Sequence, residues 1–316
     1  MMVSSAVAAQ EAFTIAWWNV ENFFDTRDDP ATSDDEFTPD SERHWSTQRF
    51  NAKRDGIYKT LLMIDCPDVV GLAEVENAFV LRELCFGTPL SKAGYNFVHY
   101  DSPDRRGIDC ALLYRKERFR VTASRAVSLS DSAANYFTRD ILLVEGVTPV
   151  GDTLCLLVNH WPSKLGGDEA EARRMAAATT LRRLMDSLSL AHPAAAVVAM
   201  GDFNSTADEP PIAEGMGFGD LCRNADGIQN LDCDLPRDAG SHKYQGEWRY
   251  IDALFLKTDR HWSVMETQLL QLPHLLVQER GKLGLRPKRT YLGIRYEGGL
   301  SDHLPLLLKL KHYTQQ

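Results

Sequence analysis

The sequence predicts a layered α/β sandwich whose catalytic groups gather at the ends of buried strands. Short apolar segments of strand length alternate with segments of helical periodicity. Several apolar segments also end in polar side chains, namely Asn19, Glu74, His160, Asp202 with Asn204, and Asp302 with His303. Carboxylates suit a hard divalent cation, and imidazoles suit proton transfer and phosphate stabilisation. The pattern therefore favours a site that cleaves phosphoesters.

The chain should open with a β-α-β unit. Residues 13–18 and 68–72 are apolar runs that end at or near Asn19 and Glu74, as buried strands do. A helix is predicted between them, because Ser46 and Thr47 are suitable caps for the apolar residues that follow at helical spacing. These are Phe50, Ile57, Leu61 and Ile64.

The rest of the chain continues the alternation. Further strands are predicted at residues 108–114, 140–147, 154–158, 196–200, 250–256 and 304–310. A helix should span residues 168–190, with the pairs Arg173-Arg174 and Arg182-Arg183 mostly in solvent. Residues 205–246 are rich in Gly, Asp and Asn and are expected to form a loop.

One large catalytic domain, residues 13–312, accounts for the 316 residues and the 44% hydrophobic content. The candidate site residues run from Asn19 to His303, so a split would divide one active centre. Residues 1–12 should be a tail or a signal-peptide remnant, because Val7-Ala8-Ala9 before Gln10 matches a cleavage site. Export is expected, with a disordered tail on a cytoplasmic protein as the alternative.

The net charge of −9 argues against a protein that wraps nucleic acid through phosphate neutralisation alone. Nucleic acid can still be a substrate, because Arg105, Arg106, Lys288 and Arg289 could form a local basic rim with Arg286. No run approaches the roughly 20 apolar residues of a membrane span. We expect a monomer without such a span.

The cysteines show no pair with zinc-finger spacing, which disfavours a structural zinc site of that kind. Cys66, Cys110 and Cys155 lie in or beside apolar strands and are expected to be core thiols. Cys222 and Cys233 flank a polar loop and fit either a disulfide in an exported protein or two free thiols.

Two acids and two histidines make the sharpest case for chemistry. Asp202 and Asn204 lie two residues apart where a strand enters a turn, so they could hold a water and a phosphoryl oxygen together. Asp252 lies inside an apolar strand, which is costly unless the acid is paired, and His303 is its expected partner. His160 could donate to a phosphoryl oxygen. Glu74 and Asn19 offer oxygen ligands for Mg²⁺; nearby Glu21, Glu76 and Asn77 are rivals.

In order along the chain, these motifs resemble the endonuclease/exonuclease/phosphatase superfamily, which includes deoxyribonuclease I. The motifs are Trp18-Asn19, Glu74, Asn159-His160, Gly201-Asp202-Phe203-Asn204, Tyr250-Ile251-Asp252 and Ser301-Asp302-His303. The resemblance covers residues 13–310 and implies a four-layer α/β sandwich, in which two packed mixed sheets are flanked by helices. It looks most like the bacterial, often exported, members.

The resemblance implies a role for each residue. Asn19 and Glu74 would bind Mg²⁺ or Mn²⁺, as one or two ions, and Asp302 would complete the metal shell. Asp202 and Asn204 would position water and phosphate, and His303 would act as a base or stabilise the phosphate. Asp252 would orient His303. His160 would stabilise the phosphoryl oxygens, with Asp109 as its partner, and Asn159 with the basic rim would contact the substrate.

The leading hypothesis is a metal-dependent nuclease that cleaves phosphodiesters by direct attack of water. The inventory of acids, amides and imidazoles includes no Ser-x-x-Lys or Gly-x-Ser-x-Gly nucleophile motif, which disfavours a covalent intermediate. The alternatives are a phosphomonoesterase, a sphingomyelinase-like phosphodiesterase, and a catalytically silent binding protein of the same fold. Inositol polyphosphate 5-phosphatases carry the motif Trp-x-Gly-Asp-x-Asn-(Phe/Tyr)-Arg. Here Ala199-Met200 precede Gly201 and Ser205-Thr206 follow Asn204, so the motif is not matched and that activity is disfavoured.

Overall fold

Two six-stranded sheets form the centre of the molecule. The computed structural model describes residues 12–259, 261–279, 281 and 284–312. Its strands are β1 Phe13–Phe23, β2 Val69–Val75, β3 Tyr95–His99, β4 Asp109–Arg115, β5 Arg120–Val127, β6 Ile141–Val147, β7 Thr153–His160, β8 Ala196–Asp202, β9 Gln229–Asn230, β10 His242–Tyr244, β11 Glu247–Arg249, β12 Asp252–Lys257, β13 Trp262–Leu269, β14 Leu276–Gln278, β15 Leu285–Pro287, β16 Tyr291–Leu292, β17 Arg295–Tyr296 and β18 Leu306–His312. Its α-helices are α1 Thr47–Met63, α2 Ala78–Cys85 and α3 Gly167–Ala191.

The first sheet has the order β13-β18-β1-β2-β4-β3, and the second has the order β5-β6-β7-β8-β12-β9. Both are mixed, since β1 pairs parallel with β2 and β7 parallel with β8 while their other neighbours are antiparallel. Three further pairs of short strands form small hairpins: β10 with β11, β14 with β15, and β16 with β17.

Three apolar layers hold the sheets and helices together. The inner faces of the two sheets share one core, where Ile15 and Trp17 of the first sheet lie in the same cluster as Val158 and Met200 of the second. Residues of α1 and α2 cover the outer face of the first sheet, and α3 covers the outer face of the second. The predicted four-layer α/β sandwich is therefore confirmed.

The β-α-β opening is also as predicted. β1 and β2 pair in parallel with Ile15 opposite Val69, and α1 connects them. The Ser46 hydroxyl accepts a hydrogen bond from the backbone N–H of Arg49 and so caps α1. Because β1 and β2 run parallel, their carboxyl-terminal parts, which carry Asn19 and Glu74, lie at the same end of the sheet.

Several elements were missed from the sequence. Strands β3, β5 and β13 all lie at sheet edges, where one side of a strand meets solvent and no continuous apolar run is needed. The expected loop 205–246 is partly ordered, since it contains helical turns at Pro211–Gly215 and Leu231–Asp234 and the strands β9 and β10.

Arg174 corrects the expectation that the arginine pairs of α3 face solvent. It is buried, and its guanidinium donates to the carbonyl oxygens of Pro162 and Ser163. The side chain thereby fastens α3 to the segment that leaves β7.

The six cysteines divide into one pair and four thiols. Cys222 and Cys233 form a disulfide, and Cys66, Cys85, Cys110 and Cys155 are free. Cys110 and Cys155 are buried as expected, and Cys66 is half-buried. The signal-peptide remnant predicted at the N-terminus falls largely on residues 1–11, outside the described residues. Among the described helices, none combines the length and the apolar character needed to cross a membrane.

Candidate active site

Strand pairing brings the candidate catalytic residues to one end of the sandwich. His160 ends β7 opposite Asp202 on the parallel strand β8, and Asp252 begins β12 opposite the same Asp202. Asn19 on β1 reaches across from the other sheet, since its amide Nδ2 donates to Asp202 Oδ2 at 3.1 Å. The site therefore lies at the ends of the central strands, where the two sheets face each other.

The Asp202 carboxylate lies at the centre of this group. Its Oδ2 accepts from Asn19 and lies 3.6 Å from His160 Nε2 and 3.7 Å from His303 Nε2. Its Oδ1 accepts from the backbone N–H of Asn204 at 3.0 Å. Burial, together with the nearby Asp252, raises the pKa of Asp202 to about 7, although His303 opposes this shift. A carboxyl with that pKa can take up and release a proton near neutral pH.

Asp252 and His303 form a buried pair, as predicted. Asp252 Oδ2 lies 2.6 Å from His303 Nδ1, and its Oδ1 accepts from the indole Nε1 of Trp17 at 2.8 Å. Burial alone would lower the pKa of His303, but the charges of Asp252 and Asp202 outweigh it and hold that pKa well above its usual value. His303 is therefore an imidazolium in this environment, with Nδ1 donating to Asp252 and Nε2 directed toward the centre.

The segment before β18 is fixed from two sides. The Ser301 hydroxyl donates to the backbone oxygen of Asn19 at 2.6 Å and accepts from the backbone N–H of His303 at 2.9 Å. Trp18 Nε1 donates to the carbonyl oxygen of His303 at 3.0 Å. These bonds tie the end of the chain to β1, so the imidazole is held by backbone as well as by Asp252.

Asp302 lies beside this pair but is already engaged by a cation. Arg289 donates to Asp302 Oδ2 at 2.6 Å, and Asp302 Oδ1 lies 3.8 Å from His303 Nε2. Burial would raise the pKa of Asp302, but His303 and Arg289 outweigh it and lower that pKa below its ordinary value. The carboxylate is therefore ionised, as a metal ligand must be.

His242 belongs to the site and was missed from the sequence. It pairs with His303 through an isolated antiparallel bridge, and the two ring centroids lie 4.9 Å apart. Burial, with His303 nearby, lowers the pKa of His242 to about 4, so this ring is neutral beside the imidazolium. No local pattern marks His242, because it lies in the loop-rich segment and reaches the site only through tertiary pairing.

Glu74 lies beside Asn19 and His160 in a strained backbone conformation. Its Oε2 accepts from the backbone N–H of Asn22 at 2.9 Å, and its Oε1 lies 3.4 Å from Asn19 Nδ2 and 3.9 Å from His160 Nε2. The residue has a φ of 61°, which is unfavourable for a side chain with a Cβ and is typical of strained functional sites. Asn19 Nδ2 faces both Glu74 Oε1 and Asp202 Oδ2, so two acids lie close together here; carboxylate oxygens are the donors that Mg²⁺ and Mn²⁺ prefer.

Asn19 is a weaker candidate ligand than Glu74. Its Oδ1 accepts from the backbone N–H of Glu21 at 2.9 Å, while its Nδ2 faces the carboxylates of Glu74 and Asp202. Asn19 would coordinate a cation only after its amide turned over. In the conformation described here it links the two carboxylates instead.

A second buried pair, Glu21 and Lys53, lies behind the site. Lys53 Nζ donates to the backbone oxygen of Glu21, to Thr290 Oγ1 and to the backbone oxygen of Leu300. Burial lowers the pKa of Lys53 to about 8 and raises that of Glu21 to about 8. Lys53 could have been found from the sequence, because it lies three residues after Phe50 and four before Ile57, on the apolar face of α1.

The expected pairing of Asp109 with His160 is wrong. Asp109 Oδ2 lies 3.3 Å from His99 Nε2, and Asp109 Oδ1 accepts from the backbone N–H of Ser102. His160 Nδ1 is buried and has no hydrogen-bond partner among the described residues. The error arose because β3, which carries His99 beside β4, was not predicted.

Asn159 does not face the substrate side. Its Nδ2 donates to the carbonyl oxygens of Leu157 and Met200, and its Oδ1 accepts from Trp161 Nε1. Successive side chains of a strand point to opposite faces, so Asn159 and His160 could not both face the centre. The expected substrate contact of Asn159 is corrected to a structural role.

The predicted basic rim is only partly assembled. Arg106 lies at the site, because its guanidinium donates to Asn22 Oδ1 at 2.7 Å and lies 3.6 Å from Glu74 Oε2. Arg289 is also there, paired with Asp302. Arg105 is exposed and lies over the ring of Phe137, and Lys288 is half-buried, with its backbone N–H bonded to Leu275.

Residues 14–312 match the profile of a family described as Endonuclease/Exonuclease/phosphatase family. No curated protein matches the chain.

Similar solved structures share the fold at low identity. An endonuclease/exonuclease/phosphatase from Bacteroides vulgatus has a TM-score of 0.62 and 16% identity, over 96% of this chain and 99% of that one. A mannosyl-6-phosphatase from Bacteroides thetaiotaomicron has a TM-score of 0.61 and 14% identity, over 95% of this chain and 99% of that one. TDP2 from D. rerio, complexed with a single-strand DNA product, has a TM-score of 0.60 and 17% identity, over 95% and 99%.

Proposed function

Because this chain belongs to the endonuclease/exonuclease/phosphatase family, we propose that it is a divalent-metal-dependent phosphodiesterase that acts on nucleic acid. The observation that carries the proposal is the arrangement around Asp202 Oδ2, where Asn19, His160 and His303 converge within 3.7 Å. A buried acid surrounded by an amide and two imidazoles suits a water and a phosphoryl group held side by side.

The metal would be held by Glu74, with Asp302 and a reoriented Asn19 as further oxygen donors. Mg²⁺ or Mn²⁺, when bound, would neutralise charge on the phosphoryl oxygens and make phosphorus more electrophilic. Both acidic donors also meet an arginine, since Arg106 approaches Glu74 and Arg289 binds Asp302.

In the proposed reaction Asp202 accepts the proton of the attacking water, and two histidines donate hydrogen bonds to the phosphoryl oxygens. The Asp202 carboxylate accepts a proton from the attacking water as the new bond between water oxygen and phosphorus forms. The bond from phosphorus to the leaving alkoxide breaks, and solvent protonates that alkoxide. His303, charged through its pair with Asp252, donates Nε2–H to a non-bridging phosphoryl oxygen. His160, whose pKa burial and Arg139 lower well below its usual value, donates to a second oxygen as a neutral ring.

A small phosphomonoester is the second candidate substrate. Cations near Asp302 are paired with acids, since Arg286 and Arg295 both bind Glu297 and Arg289 binds Asp302. A cavity of about 360 Å³ adjoins Asp302 and is lined by Tyr244, Arg286 and Arg289 among others. Paired cations around a cavity of that size favour a compact polar leaving group over a long polyanion.

Hydrolysis of bis-p-nitrophenyl phosphate with Mg²⁺, with Mn²⁺ and after EDTA treatment tests the proposal. We expect turnover that EDTA abolishes and that either ion restores. Turnover unaffected by EDTA would remove the metal from the proposal, and no turnover under any condition would favour a silent binding protein. Plasmid DNA, RNA, sphingomyelin and sugar phosphates assayed side by side then separate the substrate classes.

We also propose that the protein is exported to an oxidising compartment. The support is the disulfide between Cys222 and Cys233, because such bonds persist in oxidising compartments and are rare in the reducing cytoplasm. Titration of the unfolded protein with a thiol reagent, before and after reduction, should reveal two additional thiols on reduction.

A further inference from the structure

Glu145, Cys155 and His192 meet at the end of the molecule away from the active site. Glu145 on β6 lies directly opposite Cys155 on β7, and His192 caps the C-terminus of α3, which packs over these strands. Glu145 Oε2 lies 3.0 Å from His192 Nε2, and a carboxylate oxygen, the thiol sulfur and an imidazole nitrogen all lie within 4.8 Å of one another.

We propose that these three residues form a transition-metal site suited to Zn²⁺. Thiolate, imidazole and carboxylate are the protein ligands that Zn²⁺ takes, at about 2.0–2.3 Å. Ligand atoms around such an ion lie roughly 3–4 Å apart. The three ligand atoms here already lie within 4.8 Å of one another, so they need to move only slightly closer together. A thiolate ligand disfavours Mg²⁺ and Ca²⁺, which prefer oxygen.

The surroundings of the cluster favour a cation in two further ways. The last carbonyl groups of α3 carry the negative end of the helix dipole, which stabilises positive charge beside His192. Glu145 is an acid in an otherwise apolar strand, Ile141–Val147, and its charge needs compensation. His192 also lines a cavity of about 510 Å³, which leaves a path for a water as fourth ligand.

This site is independent of the catalytic centre. Along β7, Cys155 and His160 are separated by roughly 16 Å at the usual rise of a strand. The metal would join β6, β7 and the end of α3, so its expected role is to fasten the outer helix to the second sheet. Binding would release protons, because Cys155 must become a thiolate.

Cobalt titration of the full-length protein tests the proposal, because a thiolate bound to Co²⁺ gives a charge-transfer absorption that oxygen and nitrogen ligands do not. We expect one equivalent of Co²⁺ to produce this band in the wild-type protein, and Zn²⁺ to displace it. His192→Ala and Cys155→Ser should each weaken binding at least tenfold. Hydrolysis of bis-p-nitrophenyl phosphate by His192→Ala with Mg²⁺ should match the wild type.

Two matched variants serve as controls. Cys85→Ser removes another buried thiol, on α2, and Glu74→Gln alters the catalytic centre; both should retain the band. Absence of the band in the wild type would overturn the proposal. So would a band of unchanged affinity in His192→Ala, a half-exposed position whose substitution leaves the core intact.

Discussion

Asp202 and His303 lie side by side at the point where the reacting phosphate is proposed to bind. Asp202→Ala and His303→Ala should each reduce turnover by about a hundredfold or more, the usual effect of losing an acid–base group. The exposed Asp208→Ala, from the following turn, is the matched control and should retain activity. Steady-state assays and thermal unfolding of the three variants decide the matter; near-wild-type turnover in either catalytic variant would contradict the assignment.

Glu74 should dominate metal binding. Glu74→Gln removes the negative charge without changing the size of the side chain, so the affinity for Mg²⁺ should fall by about tenfold or more. The neighbouring Glu76→Gln is the control, because Glu76 accepts from the backbone N–H of Asp25 instead. Isothermal titration calorimetry with Mg²⁺ measures both, and equal affinity in Glu74→Gln and wild type would show that the ligand lies elsewhere.

Asp232 should make the stability of the fold depend on pH. Burial, with Asp252 nearby, raises the pKa of Asp232 well above its usual value. Below about pH 4 both folded and unfolded chains hold this proton. Above that pH the unfolded chain loses the proton while the folded chain keeps it up to its own raised pKa, so over this interval the free energy of unfolding falls by up to about 1.4 kcal/mol per pH unit.

Asp232→Asn cannot lose the proton and should escape this penalty. Its stability relative to the wild type should therefore increase as the pH rises from about 4 toward the raised pKa of Asp232, as measured by urea unfolding at each pH. A difference that does not change with pH would mean that the folded and unfolded chains bind this proton equally, so that burial does not raise the pKa of Asp232.

Individual residues were predictable where burial imposes a partner. An acid inside an apolar strand needs a donor, which is why the contact between Asp252 and His303 could be foreseen. Partners supplied by unpredicted elements could not be: Asp109 pairs with His99 of β3, and His242 reaches His303 from a segment expected to be a loop.

At the scale of elements, burial on both faces explains which strands could be predicted. The central strands β1, β2, β7 and β8 are buried at nearly every position, so each sequence contains a continuous hydrophobic run before its polar end. The edge strand β5 has no fully buried position and carries no such run. Edge strands are set by the partner they pair with, which a single local sequence does not reveal.

Arg174 should contribute more to the stability of the protein than the exposed arginine of the same helix. Arg174→Ala would leave the carbonyl groups of Pro162 and Ser163 without their donor, at a cost of about 1–3 kcal/mol in unfolding free energy. Arg183→Ala, at an exposed position of the same helix, should change stability by less than about 0.5 kcal/mol. Chemical unfolding of the two variants checks this difference, and equal stabilities would show that Arg174 does not fasten the helix.

At the scale of the whole molecule, the active site depends on the packing of the two sheets. A Cβ added at Gly71 would lie 2.4 Å from Met200 Sδ, which shows how closely the sheets approach beside the site. This packing places Asn19 of the first sheet against Asp202 of the second, so residues far apart in the chain form one centre. The order of motifs indicated the fold, but the relative position of the two sheets came only from the structure.

The central claim is hydrolysis by a single attack of water on phosphorus, and the stereochemical course tests it most directly. A nucleotide phosphorothioate diester of known configuration would be cleaved in ¹⁸O-labelled water with Mn²⁺, and the configuration of the labelled product determined. One in-line attack inverts the configuration at phosphorus, which is the predicted result. Retention would indicate two successive displacements through a phosphorylated side chain and would contradict the account.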